Sequence, residues 1–253
     1  MKVFSSAYAP ELGEYGLGDF YLPDNCNAST PVVLLIHGGG WAFLDKSSCA
    51  GIAEFLCENN YLVYNINYRL SKFVPWPACA ADCLKAADFL LAGAGLPAGT
   101  ADFSRLTICG GSAGGHLALY TGLKIGRPAV EKIIAISPIA DPLPDYAVHP
   151  ERYELLFGCP ATEKHLQKIA PLQFVTENMP EVFITHAHID TAVPQASTRN
   201  FIAGVQHKCG VTIPHFYYDG IGTAHKIWIP ESSPHRLLPE IESAIMDFLK
   251  KAR

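Results

Sequence analysis

The chain is short of charge. Of its 253 residues only 17% are Asp, Glu, Lys or Arg, and the net charge is −5. No block of lysines and arginines occurs, so nothing points to a nucleic-acid partner. Long apolar runs are also missing. None reaches the length of a membrane span, and the opening "MKVFSSAYAPELGEYGLGDF" lacks the apolar core of a secretory signal. The chain opens with Met1, so the expectation is a soluble, cytoplasmic protein from which no leader has been removed. No Cys-x-x-Cys pair is present. The eight cysteines are therefore expected as reduced thiols rather than a disulfide framework or a zinc site. Cys79 and Cys83, four apart on an expected helix, and His186 and His188, two apart on an expected strand, lack further ligands nearby; no metal is expected. Repeats and low-complexity tracts are absent too.

About half of the residues are hydrophobic, enough for one large core, and a single domain over residues 1–253 is expected. Apolar, β-rich runs alternate with helical patterns. "VVLLIH" (32–37), "YLVYNINY" (61–68), "RLTIC" (105–109), "KIIAIS" (132–137), "EVFITHA" (181–187) and "VTIPHFYY" (211–218) read as strands. Pro214 favours a sheet edge for the last. Residues 2–9 and 18–22 form a candidate antiparallel start. Helices are expected over 47–58, 77–91, 113–123, 194–206 and 239–252. The pattern predicts an α/β protein: a mostly parallel, twisted sheet with helices on both faces. Residues 141–180 break the alternation with six prolines and one short helical stretch near 162–169, and are expected to form a small cap insertion over the strand ends.

"LTICGGSAGGHLAL" (106–119) joins a strand to a helix through four glycines and Ser112. It fits G-x-S-x-G at Gly110, Ser112 and Gly114, the spacing that holds a serine out on a strained strand-to-helix bend. A phosphate loop fits worse, because no G-x-x-x-x-G-K-[ST] occurs and no Lys follows the glycines. A serine nucleophile needs a base, an acid to orient it and donors for an oxyanion. "LLIHGGGWAF" runs from a strand into bare glycines, and the amides of Gly38, Gly39 and Ala113 are the expected donors. His37 reads as a structural residue of that loop; Trp41 and Tyr68 are candidate pocket walls.

Among ten histidines, His225 follows the last strand in a glycine-containing loop, where an open α/β sheet meets its ligands. It is the expected base, with His235 in reserve. His116 sits too near Ser112 on the following helix. His149, His165 and His207 read as surface positions. The expected acid is Asp190, just past the strand at 181–187, which gives the order Ser, Asp, His. Asp141 and Asp219 stay open as alternatives that could equally cap turns.

With these residues in hand, the chain resembles the α/β-hydrolase superfamily, and more narrowly its hormone-sensitive-lipase-like and bacterial acyl-esterase branch. The resemblance rests on "HGGGW" (37–41), "NYRLS" (67–71), "GGSAGG" (110–115), "HIDTAVP" (188–194) and "GTAHKI" (222–227), in the family's order. It implies a catalytic triad of Ser112, Asp190 and His225, an oxyanion hole at Gly38, Gly39 and Ala113, and no cofactor. Where the family often has His-Gly before the acid loop, this chain has Ala187. The long N-terminal cap of larger lipase-like members is missing, which argues against long acyl chains. The resemblance implies a serine carboxylesterase for short-chain acyl esters, such as acetyl or feruloyl esters of carbohydrates. Arylformamidase or small-peptidase chemistry on amides is the alternative, and a non-catalytic binding protein of the same fold a further one. Oligomeric state is not readable.

Overall fold

The computed structural model describes residues 1–219, 225 and 236–251. Eight strands form one sheet: β1 (Lys2–Ala7), β2 (Leu17–Leu22), β3 (Pro31–Ile36), β4 (Leu62–Ile66), β5 (Asp102–Gly111), β6 (Val130–Ile136), β7 (Glu181–Ala187) and β8 (His215–Tyr218), in the spatial order β1-β2-β4-β3-β5-β6-β7-β8. β1 pairs with β2, and β2 with β4, in antiparallel fashion, so the early runs do form an antiparallel start. Every later pairing is parallel.

The central strands read as unbroken apolar runs because both of their faces are covered. Along β3, Val32, Leu34 and Ile36 enter one core cluster while Val33 and Leu35 enter the other. The first cluster receives α2 (Ala78–Leu91), α3 (Ala113–Ile125) and α7 (Gln195–Cys209); the second receives α1 (Ala50–Glu58) and α8 (Pro239–Lys250). Fully burying each such aliphatic side chain stabilises the fold by about 1.5–3 kcal/mol. Among the described residues, no helix is long and apolar enough to cross a membrane.

Two expectations are corrected. The segment between β6 and β7 holds three α-helices, α4 (Pro142–Val148), α5 (Pro150–Phe157) and α6 (Glu163–Ile169), and a 3-10 turn at Pro171–Phe174, where the sequence suggested one. Pro142, Pro150 and Pro171 stand in the first turn of their helices, where the missing N–H costs nothing; three of the six prolines begin helices rather than break them. β8 is also shorter than residues 211–218. It starts at His215, just after Pro214, which has no N–H to give a ladder. It does lie at the sheet edge.

Candidate active site

Ser112 sits between the end of β5 and the start of α3 with φ 58° and ψ −125°. That backbone is strained for a residue with a Cβ, and strain of this kind concentrates at functional positions. The corner is tight enough to dictate its neighbours. A Cβ on Gly110 would stand 2.3 Å from the Gly114 carbonyl oxygen, and one on Gly114 would stand 2.2 Å from that of Ile36. Glycine is required at both by close approach. α3 then begins at Ala113, whose amide has no carbonyl a turn behind it within the helix and faces outward with the positive end of the helix dipole.

Strand β7 delivers the turn that carries Asp190 at its carboxyl end. The Asp190 side chain is fully buried. Its Oδ1 accepts from the amides of Ala192 and Val193, both at 2.9 Å. Its Oδ2 accepts from His225 Nδ1 at 2.8 Å. His186, also buried, holds the turn from below: its Nε2 donates to the Val193 carbonyl at 3.0 Å and lies 3.4 Å from Asp190 Oδ2, while Nδ1 accepts from Thr198 Oγ1 at 2.8 Å. Burial alone would raise the Asp190 pKa. The hydrogen bonds from His186, His225 and the Val193 amide outweigh it and hold the carboxyl ionised, well below the usual range.

Ser112 and His225 line one cavity of about 250 Å³, together with Gly38, Gly39, Gly40, Leu44, Cys49, Ile52, Arg152 and Ala192. A wider groove of about 840 Å³ shares Gly39, Gly40 and Arg152 with it and continues past Phe43, Phe73, Leu155 and Lys72. Phe43 and Phe73 are more than half exposed, and the Lys72 ammonium lies over both rings.

The remaining expected residues divide. Gly38 and Gly39 both edge the cavity, and Ala113 follows Ser112 as the first residue of α3. Trp41 and Tyr68 line neither of these two cavities. Both are fully buried beneath the glycine loop, with the Tyr68 hydroxyl at 3.0 Å from the His37 carbonyl and 3.1 Å from that of Gly38. Large aromatics beside a glycine turn here fill the space under it, which sequence proximity to the loop does not distinguish from lining it.

His37 is structural: buried, stacked on Tyr68, with Nδ1 donating to the Gly38 carbonyl at 2.8 Å. His116 is buried as well, accepting from Trp41 Nε1. Asp141 caps α4 by accepting from the Leu143 amide, and Asp219 is exposed. His235, and the "GTAHKI" residues other than His225, lie outside the described residues. Arg152 is a charged cavity residue that sequence reasoning missed; nothing in an apparently irregular segment signals that its helix brings a side chain to the wall beside Ser112 and His225.

The sheet order and the serine corner are those of the α/β-hydrolase fold, shared with solved esterases. Within it, the likeness is to esterases: residues 18–141 match the family model described as BD-FAE. Esterase LipQ of Mycobacterium tuberculosis is 26% identical over 87% of this chain and 55% of its own length. The versiconal hemiacetal acetate esterase of Dothistroma septosporum is 27% identical over 70% of this chain and 52% of its own. The chain thus spans about half the length of the curated relatives it matches. Among solved structures, esterase B from Lactobacillus rhamnosis superposes with a TM-score of 0.81 at 20% identity, covering 98% of this chain and 85% of that one. A truncated carbohydrate esterase from gut microbiota gives 0.75 at 21% identity, covering 88% and 89%.

Proposed function

We propose that the protein is a serine esterase in which Ser112 is the nucleophile, His225 the base and Asp190 the acid. The observation that carries this reading is the 2.8 Å bond from His225 Nδ1 to the buried Asp190, at a cavity that Ser112 edges from a positive-φ corner. With Nδ1 donating to Asp190, His225 Nε2 is left unprotonated and able to accept. It takes the hydroxyl proton as Ser112 Oγ attacks the ester carbonyl. The carbonyl π pair moves to oxygen, where the amides of Gly38, Gly39 and Ala113 stabilise the charge. His225 Nε2 then gives the proton to the departing alcohol as the C–O bond breaks. Water repeats the sequence on the acyl-serine, releasing the acid. No cofactor enters.

The reading extends to short acyl groups. A cavity of about 250 Å³ falls below the roughly 300–1,000 Å³ usual for sites that enclose a whole ligand, so the rest of the substrate has to lie outside it. The adjoining groove, with two exposed phenyl rings, offers faces on which a sugar or aromatic ring can stack. The carbohydrate-esterase title of one structural neighbour is consistent with an acetylated or feruloylated carbohydrate as substrate.

Rates on p-nitrophenyl esters from acetyl to decanoyl, on acetylated and feruloylated sugars and on an N-formyl aromatic amide test the reading. Short esters are expected to be turned over fastest. Ser112→Ala is expected to fold, to lose a fluorophosphonate label and to lose about a thousandfold in turnover. Near-normal hydrolysis by that variant would refute the assignment, and preference for the formamide would move the protein to amide chemistry.

A further inference from the structure

We infer that Arg152, carried by the helical segment between β6 and β7, is a positioning residue for Asp190; this rests on the reading of Asp190 and His225 as acid and base. Arg152 Nη1 donates to both carboxylate oxygens of Asp145, at 2.7 and 2.9 Å, and Nη2 donates to the Ala192 carbonyl at 3.1 Å. Ala192 is the residue whose own amide donates to Asp190 Oδ1. One peptide unit on either side of Ala192 is therefore held: its N–H by the acid, its carbonyl by the guanidinium. The acid turn is tied through a single side chain to α5.

The anchor at the other end is built to be stiff. The Asp145 side chain is fully buried. The Tyr153 hydroxyl, itself buried, lies 2.9 Å from Asp145 Oδ2 and 3.0 Å from the Pro142 carbonyl. Burial raises the Asp145 pKa against the pull of the Arg152 charge. A buried carboxylate–guanidinium pair is a poor device for stability alone, because desolvating both partners cancels most of their attraction. It is a good device for fixing direction, since the planar fork reaches two acceptors at set angles. Arg152 spends that geometry on Asp145 and on the acid turn, and does so at the wall of the cavity that Ser112 and His225 share. The side chain is one-fifth exposed, so solutes entering the cavity can reach its place.

Lysine keeps the charge but offers one nitrogen where the fork offers two. Arg152→Lys and Arg152→Ala are both expected to lower kcat on p-nitrophenyl acetate by about ten- to a hundredfold, the order that follows from a misplaced catalytic group. KM for this small ester should change less than threefold. Because Arg152 acts through Asp190, Arg152→Ala combined with Asp190→Asn should be no slower than Asp190→Asn alone. Guanidinium chloride at low millimolar concentration should restore part of the Arg152→Ala rate, and methylammonium should not.

A folded Arg152→Ala protein with unchanged kcat, a rise in KM alone, or losses that multiply in the double variant would overturn the inference. If Arg152→Ala fails to fold, Arg152→Lys carries the same test. Should Asp190→Asn itself retain full activity, it is the acid assignment that fails; an inactive Asp190→Asn beside fully active Arg152 variants fells the positioning role alone.

Discussion

Trp41 donates its indole N–H to Nδ1 of His116 at 3.1 Å, and the ring centroids stand 5.2 Å apart, edge to face. The other nitrogen, Nε2, donates to the Ile169 carbonyl at 2.8 Å. One neutral imidazole thus ties the residue after the glycine loop, the helix behind Ser112 and the end of α6. Both nitrogens are used only while the ring is neutral, and burial keeps it so: its pKa is pushed down to about 4, as is that of His37.

This makes stability pH-dependent in a definite direction. The two histidines bind protons in the unfolded chain below about pH 6.5 and in the folded protein only below about 4. The unfolded state therefore gains protons first as the pH falls. Stability is full above pH 6.5 and declines from there toward 4, by up to about 1.4 kcal/mol per pH unit for each histidine. Urea unfolding at pH 7, 6 and 5 measures the slope. Trp41→Phe leaves a buried Nδ1 without its donor and should cost about 1–3 kcal/mol at pH 7. A flat profile between pH 7 and 5 would contradict the burial argument.

The strain at Ser112 predicts an opposition between stability and activity. Glycine takes a positive φ without penalty, whereas serine at φ 58° does not. Ser112→Gly should raise stability by about 1 kcal/mol while removing the proposed nucleophile; Ser112→Ala keeps a Cβ and should remove that hydroxyl with no such gain. Paired thermal melts of the two variants separate them. Equal melting temperatures would mean that the corner stores no strain.

Much of this site was legible in the chain because local sterics wrote it there. Gly110 and Gly114 stand at fixed distances from Ser112 because the bend leaves no room for a Cβ, and that requirement survives as a sequence pattern. The buried strands were legible as apolar runs for the same local reason. Contacts made across the fold left no comparable trace. Arg152 reaches Ala192 over forty positions of sequence, and the Trp41–His116 bond spans 75. Trp41 and Tyr68 looked like pocket walls because they neighbour the glycine loop; whether an aromatic lies on or under a loop is decided by what packs behind it. The three helices between β6 and β7 were obscured because proline both begins helices and ends them, and only the following turn tells which.

The glycine requirement is itself testable against a control within the chain. Gly114→Ala would drive a Cβ to 2.2 Å from the Ile36 carbonyl oxygen and 2.4 Å from that of His37, both backbone atoms of the central sheet and its loop. Neither can yield without moving β3. A loss above about 3 kcal/mol, or no soluble protein, is expected. Gly93 has φ 87° but open space around its Cβ position, so Gly93→Ala meets backbone strain alone and should cost about 1 kcal/mol. Chemical denaturation of both variants gives the comparison, and comparable losses would show that crowding at Gly114 is not what demands glycine there.

The acid assignment separates cleanly from its alternative by amide substitution. Asp190 and Asp141 both follow central strands, and both accept a backbone amide two residues on. Their surroundings differ. Asp190 meets His225 and is fully buried, whereas Asp141 caps α4 and its Oδ2 accepts from Asn200 Nδ2 at 2.9 Å. Asn serves a helix cap about as well as Asp, so Asp141→Asn should change stability by less than about 1 kcal/mol and leave kcat/KM as it was. Asp190→Asn removes the charge that steadies an imidazolium at His225. Its amide can also turn an N–H toward Nδ1, leaving the proton on Nε2, the nitrogen that accepts from Ser112 in the proposed mechanism. A fall of about ten-thousandfold in kcat is the expected scale of that reversal. Initial rates on p-nitrophenyl acetate, with circular dichroism to verify folding, measure both variants. Loss of activity in Asp141→Asn with retention in Asp190→Asn would exchange the two roles.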